Sequence, residues 1–439
     1  MKVKGEKTLL NNTWGLLSPE FLPNSRRTRT LGLGATVRLF NDLAVPGLGG
    51  VWYGKQLLLA SLGVAVAEQV RNKGAKVQNI EVANAIEALA CWLAFKNNDW
   101  KRDSRLRGGT KLQGKGDDFS FSLVRQRKFY VTQPMRMATV QALPALGFAE
   151  ADGTRFNAFR CSAAGTEFIE QACKDYRPSN GSVMNHLLQW VMVGKKVDSV
   201  PLRNALSPLT PLSNDTLALL RERLIQGGTE DGDDKLRRRN ALTWVEGIRQ
   251  KPDKQEWGTK PQSIDDGHWH DLVAGAKLFN ARDEAIAVLD AMEAHIGNKT
   301  QSQSYSMQTS VPEAMSPLLA SLRTASQAFL DTEHADENAA AFCCECAKED
   351  ASAVLRSLVV RDGHVLRLVD EVIKPGAAFR GSALKEGDAG EDAADSPEAG
   401  DIPLPEGISY RMRNLYLLNL DLNGELHQWL NPVATEVRQ

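Results

Sequence analysis

The stretch LLLASLGVAVA, residues 57–67, is the most apolar run in the chain and indicates how the fold is built. Its 11 residues are too few to cross a bilayer, whose hydrocarbon core requires about 20. Polar residues close the run on both sides, with Lys55 and Gln56 before it and Glu68 after it. We therefore predict a buried helix over residues 51–71, preceded by a break rich in glycine and proline.

A second helix is predicted over residues 80–96, IEVANAIEALACWLAFK. Its apolar residues Ile86, Leu89 and Leu93 recur at spacings of three and four, which is the period of a helix face. Together the two helices indicate that residues 1–116 form a mainly helical N-terminal domain with a tightly packed core.

The composition is that of a globular protein rather than a disordered or fibrous one. Of 439 residues, 42% are hydrophobic and 24% are charged, as in folded domains. The 53 Lys and Arg residues nearly balance the 54 Asp and Glu residues, which excludes a uniformly basic protein but permits a local basic face. Six cysteines are too few for a disulfide scaffold, and no signal-peptide pattern opens the sequence. We predict a cytoplasmic protein with reduced thiols.

A basic, glycine-containing loop at residues 101–116 marks a change in pattern, because it holds six Lys or Arg residues and one acid. We call it the basic loop. After it, the segments FSFSLV and KFYVTQ, residues 119–124 and 128–133, have the apolar alternation and aromatic content typical of strands. We predict a strand for each of them.

The next segment is predicted to be a helix over residues 134–147, a hairpin that turns at Asp152-Gly153, and a helix capped by Ser162. This order resembles the back half of a winged-helix domain, over about residues 129–174. The residues that match the pattern of that family are Leu146, Gly147, Phe148, Asp152, Gly153, Ser162, Ala164, Gly165, Phe168 and Ile169.

We therefore predict a mainly α, multi-domain protein that includes a small α+β winged-helix-like element. The predicted units are a helical N-terminal domain (1–116), the winged-helix-like element (117–178), a helical domain (179–350) and an α+β C-terminal segment (351–439). Within the last unit, residues 361–373 predict a strand pair, and residues 377–403 are too rich in alanine, glycine and acids to form a core. We predict that this acidic stretch is a disordered insertion.

The resemblance implies that the helix before the wing enters the major groove of DNA and that the wing follows the backbone. Cations near these elements are the candidates for nucleic-acid or partner contact, because phosphates are neutralised by Lys and Arg. The first group consists of the cations Arg125, Arg127, Lys128, Arg136, Arg155 and Arg160 and of two neutral side chains that could meet base edges, Thr139 and Gln141. The basic loop supplies a second group, Lys101, Arg102, Arg105, Arg107 and Lys111. The helix before the wing offers only Arg136, Thr139 and Gln141 to base edges. Sequence-specific readout needs more such side chains, so we favour non-specific DNA contact or partner docking over sequence-specific regulation.

Metal and nucleotide sites have only weak candidates. Cys343, Cys344 and Cys346 lie close together but lack the second cysteine pair of a structural zinc site. Residues 49–56, GGVWYGKQ, resemble a phosphate loop, but Gln56 stands where a Ser or Thr hydroxyl would bind Mg²⁺. We predict no catalytic residue and no cofactor.

Three polar clusters are interpreted as helix starts. Asp215 is predicted to cap a helix over residues 215–226, and Asp265 or Asp266 to cap the helix that contains His268 and His270. The basic run at residues 235–239 follows an acidic run, which favours a solvated helix start over a nucleic-acid contact.

Three functions from different classes remain open at this point. The favoured one is a non-catalytic, DNA-associated subunit of a larger bacterial assembly for genome maintenance or phage defence. The second is an adaptor that docks other proteins without binding DNA. The third is a metal- or nucleotide-dependent enzyme whose site is assembled across domains. None of them involves a membrane partner.

Overall fold

The computed structural model describes residues 29–228, 232–298, 303–381 and 402–432, and these residues are mainly helical. The helices of the first half are α1 (Gly34–Ala44), α2 (Gly54–Asn72), α3 (Asn79–Asn97), α4 (Gly109–Leu112), α5 (Phe121–Val124), α6 (Arg136–Thr139), α7 (Ala142–Ala145), α8 (Ala163–Cys173) and α9 (Val183–Val193). Those of the second half are α10 (Val200–Leu206), α11 (Asn214–Gln226), α12 (Gly232–Gln250), α13 (Asp266–Gly297), α14 (Ser316–Leu330), α15 (Glu337–Cys346), α16 (Ala351–Asp362), α17 (Tyr410–Leu422) and α18 (Leu426–Leu430).

Two small antiparallel sheets complete the architecture. The strands are β1 (Ala149–Ala151), β2 (Phe159–Cys161), β3 (Tyr305–Ser306), β4 (Leu366–Val369) and β5 (Val372–Pro375). The first sheet has the order β1-β2, and the second has the order β3-β5-β4. The fold is therefore mainly α with small α+β elements, as predicted, and the predicted strand pair after residue 361 is confirmed as β4 and β5.

The pair formed by α2 and α3 is the centre of the larger core. Helix α2 is buried continuously from Gly54 to Ala67, without a solvated face, which is the behaviour expected of a helix that is apolar all round. The two helices approach closely at Gly63, where a Cβ atom would lie 2.4 Å from the Cβ of Ala83. Both predicted helices are confirmed, within a few residues at their ends.

Several elements cover α2, namely α6, α8, α9, the β1-β2 hairpin and α17. The chain returns to this core near its C-terminal end, where Asp421 on α17 accepts a hydrogen bond from the backbone N–H of Gly54 (2.8 Å). Gln56 accepts from the N–H of Trp52 (2.9 Å). These bonds supply partners for buried N–H groups at the start of α2, which have no partner inside the helix.

A second core forms around the later part of α13, which is 32 residues long. Leu272 belongs to the first core, whereas Leu278, Leu289 and Ile296 belong to the second. The second core also contains apolar residues of α14, α15, α16 and the β3-β5-β4 sheet. Helix α13 is therefore shared by the two cores.

The predicted strands at residues 119–124 and 128–133 are wrong. Residues Phe121–Val124 form the single helical turn α5, and residues 128–133 are irregular. The aromatic side chains pack in a cluster instead of alternating across a sheet. Phe119 stacks on Trp92 with ring centroids 3.9 Å apart, and tertiary packing of this kind overrides strand propensity.

Two further details differ from the sequence predictions, and a third prediction concerns residues outside the described ranges. The helix predicted over residues 134–147 is broken into the short helices α6 and α7. Ser213 rather than Asp215 caps α11, because the Ser213 hydroxyl accepts from the N–H of Thr216 (3.4 Å). Most of the predicted acidic insertion, residues 382–401, lies outside the described residues.

The basic run near the start of α12 is partly a solvated helix start, as predicted, because Asp233 and Asp234 lie in the first turn and Arg239 is exposed, but Arg238 belongs to the core. Arg238 is only 2% exposed, and its guanidinium donates to the carbonyls of Leu224 (3.1 Å) and Gly227 (3.0 Å). These carbonyls lie at the C-terminal end of α11, where a cation is favoured. Arg237 donates to Asp271 (2.7 Å) and joins α12 to α13.

Arg238→Met should destabilise the fold by about 2–4 kcal/mol, because it leaves buried carbonyls without a donor. Chemical denaturation measures this loss. Arg239→Met is the matched control, since Arg239 is exposed on the same helix, and it should change stability by no more than about 0.5 kcal/mol. Equal effects of the two substitutions would contradict the role given to Arg238.

Candidate nucleic-acid interface

The hairpin and the helix after it are present as predicted. Strands β1 and β2 pair antiparallel, with Glu150 opposite Arg160. The Ser162 hydroxyl accepts from the N–H of Gly165 (2.9 Å) and donates to the carbonyl of Gly147 (2.6 Å). Ser162 therefore caps α8 and fastens it to the segment that enters the hairpin.

The polar side chains before the hairpin are bonded to other parts of the protein. The Arg136 guanidinium donates to Asn84 (2.5 Å), and Gln141 accepts from Arg411 (2.6 Å). Thr139 has no exposed surface. The backbone of Ala138 also accepts a hydrogen bond from the N–H of Gly50 (2.9 Å). This segment is packed against α2, so Thr139 is withdrawn as a contact residue. Arg136 is half-buried and Gln141 is exposed, and each also makes the structural contact named above.

The remaining cations of the first group differ in their surroundings. Arg125 pairs with Glu81 (2.5 Å), and Arg160 pairs with Asp152 across the hairpin (3.0 Å). Three other cations of this group are exposed, namely Arg127, Lys128 and Arg155.

The basic loop divides into buried and exposed arginines and lysines. Arg105 and Arg107 are each 5% exposed, so we correct their assignment from surface contacts to structural residues. Arg105 donates to both carboxylate oxygens of Asp103 (2.9 and 2.7 Å). Burial acts to raise the pKa of Asp103, but these hydrogen bonds outweigh it and hold that pKa below its usual range. The exposed cations from the predicted second group are Lys101, Arg102 and Lys111.

A buried carboxylate holds the segment that supports this loop. Glu87 on α3 accepts from the Tyr130 hydroxyl (3.0 Å) and from the N–H groups of Met135 (2.8 Å) and Arg136 (3.2 Å). Burial raises the pKa of Glu87. The basic loop rests on the same tyrosine, because a Cβ at Gly108 would lie 2.8 Å from the Tyr130 ring and Gly108 has a φ of +74°.

A cavity of about 520 Å³ lies between the basic loop and the end of α3. Its wall contains Phe95, Trp100, Arg102, Ser104 and Thr110, and we call it the loop cavity. The sequence prediction included Arg102 but missed the other four. The available signal was a tryptophan placed directly before a basic loop, where an aromatic ring and cations share one surface.

The segment that resembles a phosphate loop is an internal helix start. The Lys55 ammonium is buried and donates to the carbonyl of Ala205 (2.6 Å). Trp52 and Tyr53 are buried beside it. Burial lowers the pKa of Lys55 to about 8. Because this side chain points into the core, it does not offer a phosphate contact.

The cysteine and histidine candidates also have structural surroundings. Cys343 and Cys346 are buried in the second core, and burial raises the pKa of each thiol to about 12, whereas Cys344 is exposed. Asp265 accepts from the N–H of His268 (2.8 Å), which confirms the predicted cap. Across the four described ranges, no group of three or more His, Cys, Asp or Glu residues is placed to hold a metal ion.

Comparisons with known proteins found no match for this chain. No protein-family model matches the chain, and neither a curated protein nor a solved structure matches it. Among the residues that the structure describes, no helix combines the length and apolar character needed to cross a bilayer.

Glu87→Ala should destabilise the protein by about 3 kcal/mol or more, because three buried donors lose their acceptor. Glu87→Gln retains one acceptor oxygen and should cost less. Urea denaturation of the two variants and the wild type measures the difference. A loss below about 0.5 kcal/mol for Glu87→Ala would show that these donors find other partners.

Lys55 should make stability depend on pH in the alkaline range. Burial lowers the pKa of Lys55 to about 8 in the folded protein, from an ordinary value of 10.5 in the unfolded chain. Between these values the unfolded chain binds more protons, so stability rises with pH. This contribution is about 2 kcal/mol between pH 8 and pH 10.

Lys55→Met removes this titrating group. As pH rises from about 8 to about 10, the free energy of unfolding of the wild type should therefore increase by about 2 kcal/mol relative to that of the variant. Denaturation at several pH values measures the shift. The control is Lys73→Met, at an exposed lysine just after α2, and it should keep the pH profile of the wild type. A profile of Lys55→Met parallel to that of the wild type would refute the assignment.

Proposed function

We propose that the protein is a non-catalytic nucleic-acid-binding subunit of a larger bacterial assembly, and that its contact surface is the basic loop. In this proposal the loop, rather than the helix before the hairpin, supplies the main contacts. The observation that carries the proposal is the exposure of Lys101, Arg102 and Lys111 around a cavity with an aromatic wall.

Charge on the loop favours an anionic ligand. Asp103 is the one acid within residues 101–116, and it is paired with the buried Arg105. The exposed charges of the loop are therefore cationic. Lys and Arg at such a surface bind phosphates without regard to sequence and release counterions as they do so.

A neighbouring segment extends the same surface. The Lys115 ammonium lies 4.8 Å from the centroid of the Phe129 ring, so the end of the loop contacts the segment that carries Arg127 and Lys128. Both of these side chains are exposed. A strand that crosses the loop would meet further cations here, which supports backbone contact over several phosphates.

The adaptor hypothesis has a different structural candidate. A cleft of about 730 Å³ lies between α1, α7 and the hairpin turn, and its wall includes Leu39, Leu43, Val140 and Pro144. Leu39 is 42% exposed. This apolar surface supports protein docking as the second candidate function.

The proposal is tested by reversing the charge of the loop. The triple variant Lys101→Glu, Arg102→Glu and Lys111→Glu should lower affinity for a labelled 20-nucleotide DNA by about 100-fold or more at 50 mM salt. Fluorescence anisotropy, repeated at 200 mM salt, should also show a shallower salt dependence for the variant.

The matched control reverses the same number of charges elsewhere. Lys254, Lys348 and Arg367 are exposed, and their replacement by Glu should leave the affinity within about threefold of the wild type if the contact is local. An equal loss in both triple variants would contradict the assignment to the loop. Absence of binding at 50 mM salt would overturn the proposed function and leave the adaptor hypothesis.

A further inference from the structure

The loop cavity has the volume of a site for a small planar group. Its volume is about 520 Å³, within the range of about 300–1,000 Å³ found for ligand pockets. It lies directly beside the exposed cations of the basic loop, since Arg102 belongs to its wall. A ligand in the cavity and an anionic chain on the loop would therefore be neighbours.

The aromatic wall is a stacked pair of rings. The rings of Phe95 and Trp100 are 6° from parallel, with centroids 5.4 Å apart. Phe95 is buried, Trp100 is half-buried, and both rings line the cavity. An indole backed by a second, parallel ring is the kind of surface on which nucleobases stack.

The backbone holds Trp100 in an unusual conformation. Asp99 and Trp100 have φ angles of 49° and 58°, a region that side-chain-bearing residues seldom adopt. The N–H of Trp100 donates to the carbonyl of Phe95 (3.0 Å), and that of Lys101 donates to the carbonyl of Asn98 (2.9 Å). Strained residues that the surrounding structure retains occur often at ligand sites, and this turn sets the indole against the cavity.

The rest of the wall is mixed, because Leu106 and Leu430 are apolar and Asp103 contributes a carboxylate. Ser104 and Thr110 provide hydroxyl groups, and Gly108 and Gly109 bring backbone into the wall. Hydroxyls can donate to or accept from the edges of any base. This combination of one stacking surface and adaptable polar groups does not select a particular base.

We propose that the loop cavity binds one unpaired nucleobase of a single-stranded nucleic acid, stacked on Trp100, while Lys101, Arg102 and Lys111 contact the adjacent phosphates. This inference rests on the proposed function and narrows its ligand to single strands. In a duplex both faces of a base are covered by neighbouring bases, so a duplex reaches only the cations.

The test compares a single strand with a duplex in Trp100 variants. Trp100→Ala should lower affinity for the oligonucleotide dT20 by about tenfold, and Trp100→Phe by much less, because base stacking needs an aromatic ring. Neither substitution should change affinity for a 20-base-pair duplex by more than about twofold. Fluorescence anisotropy at 50 mM salt measures these affinities. The same measurement with the RNA oligonucleotide U20 shows whether the protein binds the DNA or the RNA strand more tightly.

A second readout does not depend on the stability of Trp100→Ala. Binding of dT20 should quench part of the tryptophan fluorescence of the wild type, and Trp100→Phe should lose that part. Unchanged dT20 affinity in Trp100→Ala, unchanged quenching in Trp100→Phe, or an equal loss for single strand and duplex would each overturn the base site. If the base site is overturned but the triple charge reversal still abolishes nucleic-acid binding, the proposed function stands and only the base site is lost.

Discussion

The burial of α2 on every side is the constraint on which the rest of the larger core depends. A helix without a polar face cannot lie at the surface, so other elements must enclose it completely. Helix α3 covers one side through the close contact of Gly63 with Ala83. Short helices, the hairpin, α8, α9 and the distant α17 cover the others. The return of α17 also places Asp421 at the start of α2.

Buried polar side chains join the irregular segments to this helical centre. Glu87 holds residues 130–136, Arg238 holds the end of α11, and Arg411 joins α17 to Gln141 and to the carbonyl of Val45. Each of these groups would be costly to bury without partners. Their hydrogen bonds explain how stretches with little regular structure acquire a defined conformation, including the segment beneath the basic loop.

The two proposals concern one surface that combines charge with an aromatic wall. The cations of the basic loop separate into buried ones, Arg105 and Arg107, and exposed ones around the loop cavity. The buried arginines pack beneath the loop, and in the proposed function the exposed cations bind phosphates. Trp100 adds a stacking surface at the same place. The short helices α6 and α7 before the hairpin contribute no comparable basic surface, because Arg136 is the one cation of residues 134–147 and donates to Asn84.

The sequence by itself determined the two central helices, the β1-β2 and β4-β5 strand pairs, the Ser162 cap and the mainly α class, because helical periodicity, turns and caps depend on neighbouring residues. It narrowed the cap of α13 to Asp265 or Asp266, and the structure chose Asp265. It also located the basic loop by composition. Tertiary structure alone decided that Phe119 packs on Trp92 rather than within a strand. Likewise, only the fold separated buried Arg107 from exposed Lys111 and placed Trp100 beside them. The physical reason is that burial and pairing depend on residues distant in the chain, which no local pattern records.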